Sequence, residues 1–149
     1  MAGSRYTRED QDAYFRMLAV IGTRWEDAIG HANYRSRTGW DLLTRLWREK
    51  RIKMSAAYEF MPDIKSPTTR RMWIQKAIAD GVIECSDAQL ARQLRSGKKP
   101  SLPRGQNSPD IWLNPKISAK IDAFMDDALD ELLKTASRLR TRRAHAASE

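Results

Sequence analysis

Ser66-Pro67-Thr68-Thr69-Arg70-Arg71-Met72-Trp73-Ile74-Gln75-Lys76-Ala77-Ile78-Ala79-Asp80-Gly81-Val82-Ile83-Glu84 carries its own start signal, two contrasting faces and a stop signal. Serine is a preferred N-cap, and proline at the first helical position gives up no hydrogen bond. Gly81 offers the left-handed conformation on which helices commonly end. The spacing predicts a helix over 67–80 and a strand over 82–84. On a helical wheel Trp73, Ile74, Ala77 and Ile78 fall on one side. Thr68, Thr69, Met72, Gln75 and Lys76 fall on the other, flanked by Arg70 and Arg71. The first side is built for a core. The second suits the DNA major groove, which admits an α-helix and presents base edges to Arg, Gln and Thr. The start of the helix adds a positive dipole end and backbone N–H groups for phosphate.

Upstream, Ser55 reads as the cap of a short helix over 56–61, closed by Pro62 and Asp63. A helix over 40–51 turns Leu42, Leu43, Leu46 and Trp47 inward, after a loop over 34–39 broken at Thr38 and Gly39. Before that loop, Thr7 and Asp10 open a helix reaching residue 32. Tyr14, Phe15, Leu18, Ile21, Trp25 and Ile29 form its apolar stripe. Downstream, 111–113 is strand-like, and the polar stretch 86–109 between the strands is rich in Gly and Pro, with a helical turn over 86–94 as one reading. Pro115 opens a last helix to residue 140, and 141–149 reads as a disordered tail.

The fold class is mainly α with a small β-hairpin: a winged helix-turn-helix with N- and C-terminal dimerisation helices. At 149 residues the chain fits a single domain. Residues 7–32 and 115–140 would dimerise, and 40–113 would form the DNA-binding winged helix. In the last helix Ile117, Ile121, Phe124, Leu129, Leu132 and Leu139 cover more of the surface than one small domain buries, which points to a homodimer.

Charge is distributed in the same sense. The formal net charge is +8, which favours polyanions. Four cations (Lys65, Arg70, Arg71, Lys76) lie in 64–79 without an acid, and five (Arg92, Arg95, Lys98, Lys99, Arg104) in 88–109, again without one. Acids gather at Asp122, Asp126, Asp127, Asp130 and Glu131, on a side turned away from DNA. Ser66, Thr68, Thr69, Arg70, Arg71, Gln75 and Lys76 are the candidate DNA contacts on the helix, and Arg95, Lys98, Lys99 and Arg104 those of the wing, where they meet phosphates.

The run from Ser66-Pro67-Thr68-Thr69 to Gly81-Val82-Ile83-Glu84 resembles the recognition helix of the MarR family of bacterial regulators, with its Ser-Pro-Ser-Thr, helix and Gly-Leu-Ile. Leu113-Asn114-Pro115 is similar to the Leu-Thr-Pro that ends the family's wing. The resemblance implies a winged-helix dimer held by terminal helices, usually a repressor, with a small-molecule effector as a further partner. Arg71-Met72 stands where the family often has Thr-Arg, and the wing's Asp-x-Arg is absent from 86–109.

Other chemistry finds few candidates. One cysteine, Cys85, excludes an internal disulfide and suits a reducing cytosol, so a cytoplasmic protein is expected. Neither a signal-peptide core nor a membrane-length apolar run is present. His31 and Asp27 form an i, i+4 pair, too few ligands for a metal, and His145 is the other histidine. With no glycine-rich phosphate loop and no nucleophile–base pair, neither enzyme nor cofactor is expected. Cys85 reads as a passive thiol; Trp25, Trp47 and Trp73 read as core, and Trp40 and Trp112 as core or pocket lining. A winged helix serving as a protein-interaction or adaptor module in a DNA-processing complex is the alternative reading.

Overall fold

A computed structural model describes residues 3, 5–30, 34–98 and 108–148. The described chain is mainly helical, with one small antiparallel sheet. It does not gather around a single centre. Residues 1–28 and 122–149 form one compact unit, and residues 29–121 another.

Helix α1 (Arg8–Ile29), nearly all of it in the smaller unit, gives way at Gly30 (φ +71°), just inside the larger unit. Helix α2 (Arg37–Glu49) starts three residues before the predicted position because Ser36, not the 38–39 pair, sets its beginning. The Ser36 hydroxyl accepts from the Gly39 N–H at 3.2 Å. Thr38 and Gly39 are therefore buried first-turn residues rather than a break. Leu42, Leu43 and Leu46 follow them into the core.

Strand β1 (Ile52–Lys53) runs directly into α3 (Met54–Ala57) and a 3-10 turn, Tyr58–Phe60. This corrects the reading of Ser55 as a cap. The Met54 N–H donates to the Pro109 carbonyl (2.8 Å) and the Ser55 N–H to the Ser108 hydroxyl (2.9 Å). The segment leading into the last strand supplies the acceptors a capping side chain would otherwise provide.

Helix α4 (Pro67–Ala79) is capped by Ser66 as its sequence predicts. It ends in a Schellman arrangement: Val82 N–H to the Ala77 carbonyl (3.0 Å), Gly81 N–H to the Ile78 carbonyl (3.1 Å), with Gly81 at φ +78°. Strand β2 (Ile83–Cys85) follows, then α5 (Ala88–Arg95), capped by the Asp87 carboxylate on the Leu90 N–H at 3.0 Å. Strand β3 (Asp110–Leu113) pairs with both others, giving the order β1-β3-β2. Ile111 faces Ile52 on one side and Cys85 on the other, so the predicted hairpin is a three-stranded sheet. Met54, Met61, Ile74, Ile78, Ile83 and Ile111 complete the core.

Helix α6 (Pro115–Ser148) begins with the Asn114 carboxamide oxygen on the Lys116 N–H (2.8 Å). In the smaller unit α1 and α6 run antiparallel. Trp25 meets Phe124 edge-on at 5.2 Å near one end, and Arg142 meets Asp10 at 3.7 Å near the other. Thr7 and Asp10 form the reciprocal cap expected of them, at 3.1 and 3.2 Å. The disordered tail is corrected: the helix continues to Ser148. Arg142 and Arg143, the latter over the Tyr6 ring at 5.1 Å, tie this segment to the start of the chain. Ala144, Ala146 and Ala147 add helix propensity.

Two substitutions test this packing. A Cβ on Gly39 would lie 2.7 Å from the Tyr34 carbonyl carbon and closer still to its oxygen. In an open helix Gly→Ala adds about 1 kcal/mol of stability; Gly39→Ala should reverse that sign and remove about 2–3 kcal/mol in urea unfolding. Asp110 accepts from Arg51 at 2.9 Å, with Lys53 at 3.8 Å. The Arg51 hydrogen bond chiefly holds this carboxyl below its usual range. A depressed carboxyl contributes stability that is full above its unfolded pKa and lost as pH falls through the folded value. Asp110→Asn should therefore lower the melting temperature at about pH 7 and leave it nearly unchanged near about pH 2.

Candidate nucleic-acid interface

Helix α4 is anchored from behind and open in front. Ile74, Ala77 and Ile78 are fully buried, whereas Ser66, Thr68, Thr69, Arg71, Met72 and Lys76 are exposed. Arg70 and Gln75, at the margins of that face, are half-buried.

Three contacts fix the helix. At its start the Arg70 guanidinium donates through Nε to the Ile64 carbonyl, holding the preceding turn against the first helical turn. At its middle, half-buried Trp73 meets Tyr34 edge-on with ring centres 5.5 Å apart. At its end the Tyr34 hydroxyl donates to the Asp80 carboxylate at 2.5 Å. Burial, reinforced by that carboxylate, pushes the Tyr34 pKa up, so the hydroxyl keeps its proton and remains a donor. Tyr34 carries no sequence signal for this role; only the fold brings it to α4.

Arg71 has a partner the sequence does not reveal. Its guanidinium lies near Tyr58 of the 3-10 turn, whose hydroxyl pKa is raised by burial and lowered in part by that nearby charge. This proximity relates the start of α4 to the preceding helical segment. The N-terminal anion site is narrower than expected. Pro67 has no N–H, and the Thr69 N–H is given to the Ser66 hydroxyl at 3.4 Å, which leaves Thr68 to donate from the first three positions.

The wing residues divide. Arg95, although exposed, is engaged within the chain, paired with Glu84 at 2.8 Å and donating to the Ile78 carbonyl at 3.4 Å. The same Glu84 accepts from Asn114 at 3.1 Å. Arg95 therefore braces α5 against β2 and α4, and its charge is matched internally, contrary to the role expected of it. Lys98 is exposed just beyond α5. Lys99 and Arg104 lie outside the described residues. On the sheet, Arg51 lies over the Trp112 ring at 4.4 Å while bonded to Asp110, so Trp112 is covered by a cation rather than lining a pocket.

The residues expected to dimerise also divide. Ile121 and Phe124 are buried within the chain and Ile117 is half-buried, so these three serve internal packing first. Leu129, Leu132 and Leu133 (67% exposed) are open on α6. On α1, Tyr14, Phe15 (72% exposed) and Leu18, members of the apolar stripe on the helix expected to dimerise, are open too. Met17 and Trp25 are the α1 residues that are buried in the smaller unit.

A cavity of about 280 Å³ in the smaller unit is lined by Glu9, Asp12, Glu131, Arg16, Arg138 and Arg142 around Met17 and Thr135. Its acids and arginines balance. Cys85 is buried, and burial chiefly raises its thiol pKa, which disfavours the reactive thiolate. Among the described residues no cluster of His, Cys, Asp and Glu could hold a metal ion; His31 lies outside them. No helix among them is long and apolar enough to cross a membrane. Compared with protein-family models, curated proteins and solved structures, the chain matches none.

Proposed function

We propose that this chain is a sequence-specific double-stranded DNA-binding transcriptional regulator, a MarR-like winged helix acting as a homodimeric repressor. The observation that carries the reading is the exposed face of α4. Thr68, Thr69, Arg71 and Lys76 stand in solvent on a helix that buries Ile74, Ala77 and Ile78 completely. The surroundings support it: α2, β1, α3, α4, β2, α5 and β3 follow in that order with the strands paired β1-β3-β2, which is compatible with a winged helix carrying an extra helix between its last two strands. In this reading α4 enters the major groove, the hydroxyls and Gln75 address base edges, and the cations neutralise phosphates. Lys98 meets the backbone beside the groove. Each subunit reads one half-site, with half-sites about 34 Å apart.

The homodimer rests on the smaller unit. Tyr14, Phe15 and Leu18 on α1 and Leu129, Leu132 and Leu133 on α6 recur at three- and four-residue spacings and stay exposed. An antiparallel helix pair with open apolar stripes becomes a four-helix bundle when a second copy covers them.

Selection of bound duplexes from a random pool tests the function: a recovered consensus with two related half-sites is expected, and equal binding to every duplex would refute it. Lys76→Ala should weaken binding at low salt and reduce the slope of log affinity against log salt by about two units, one for each subunit of the dimer. An unchanged slope removes Lys76 from the contact. Replacing Leu129 and Leu132 together by Glu should convert a dimer to a monomer in sedimentation and lower operator affinity at least about tenfold, as avidity is lost. A wild-type protein that sediments as a monomer at micromolar concentration would overturn the homodimer.

A further inference from the structure

Met72 is the centre of the exposed face of α4. At 100° per residue its neighbours are Thr68 and Lys76 one turn away on either side, with Thr69 and Gln75 at the edges. It lies opposite Ile74 and is 62% exposed, the only large apolar side chain on a face otherwise made of hydroxyl, amide and cationic groups. A methionine there gains little from folding. Ala, Gln or Lys would serve the helix equally and cost less in hydration.

A DNA groove offers such a residue one apolar partner. Each base pair presents donors and acceptors at its major-groove edge, and thymine alone adds a methyl group. A central residue of a groove-seated helix reaches deepest. Methionine, unbranched and polarizable, adapts to a methyl group without demanding one angle of approach. Polar neighbours on both sides would meet phosphates and base heteroatoms while Met72 packs on carbon. Resting on the DNA-binding reading above, we propose that Met72 is a specificity-determining residue that recognises one thymine of each half-site through its C5-methyl group.

The two ideas fail separately. With the full-length protein, a duplex selected from the random pool is resynthesised with deoxyuridine replacing each thymine in turn, which removes only the methyl group. Wild-type protein should lose affinity about fourfold at one position per half-site, the equivalent of about one buried carbon. Met72→Ala, whose helix propensity protects the fold, should bind the parent site about sixteenfold more weakly, because both half-sites lose the contact, and be indifferent to deoxyuridine there. Met72→Leu should retain the methyl dependence. Thermal melting of each variant checks that folding is unchanged. If Met72→Ala keeps the wild-type sensitivity at every thymine, or wild type ignores every replacement, the methyl contact is overturned while DNA binding stands. If no duplex is enriched, DNA recognition fails and the role of Met72 with it.

Discussion

Tyr34 is where the architecture of the larger unit closes. Its carbonyl takes the first turn of α2 at a distance only Gly39 allows, its ring meets Trp73, and its hydroxyl holds Asp80 at the end of α4. One residue, through its backbone and its side chain, thus relates the start of one helix to the middle and end of another. A hydrogen bond from a neutral hydroxyl to a carboxylate is stronger than a neutral pair, and Tyr34 itself is only 2% exposed. Without that anchor, α4 would depend on three small or branched apolar residues for its orientation. A helix that presents a polar face to a partner needs its pose set from behind, because the partner-facing side contributes nothing to folding.

Internal charge pairing decides which of the many cations are available. Glu84 holds Arg95 and Asn114, and Asp110 holds Arg51 and Lys53, so two sheet carboxylates engage three cations and one amide. The sheet region is therefore far less positive than its sequence suggests. On α4 the balance differs: the helix contains no acid before its C-cap, and Lys76 and Arg71 remain exposed. Net charge alone could not have distinguished these cases, since the partners lie 11 and 59 residues apart along the chain.

Signals that act within one or two turns were legible in the sequence. Ser66, Pro67 and Gly81 fix α4 through local hydrogen bonds, and Thr7 with Asp10 fixes the start of α1 in the same way. What escaped notice depends on distant residues. β1 is two residues long and exists because Ile111 pairs with Ile52, so no alternation could announce it. Gly39 looks like a helix breaker until the Tyr34 backbone is placed against it. Ser55 has the chemistry of a cap, but β1 delivers the chain directly into α3 and Pro109 and Ser108 take over the acceptor role. Of the candidate interface, the α4 face was readable because helical periodicity is local; the pairing of Arg95 with Glu84 was not.

Exposed apolar surface distinguishes two sorts of partner. On α1 and α6 it forms stripes, several large side chains repeating at helical spacing, and such a pattern can be covered only by another regular apolar surface. On α4 it is one methionine surrounded by hydroxyls, an amide and cations. A protein partner docking there would have to desolvate those polar groups and offer each a match. The edge of a base pair already offers that mixture, heteroatoms beside a methyl group, with phosphates flanking it. Spacing and company, more than hydrophobicity, therefore underlie the proposal that a second polypeptide covers the stripes and nucleic acid meets the solitary methionine.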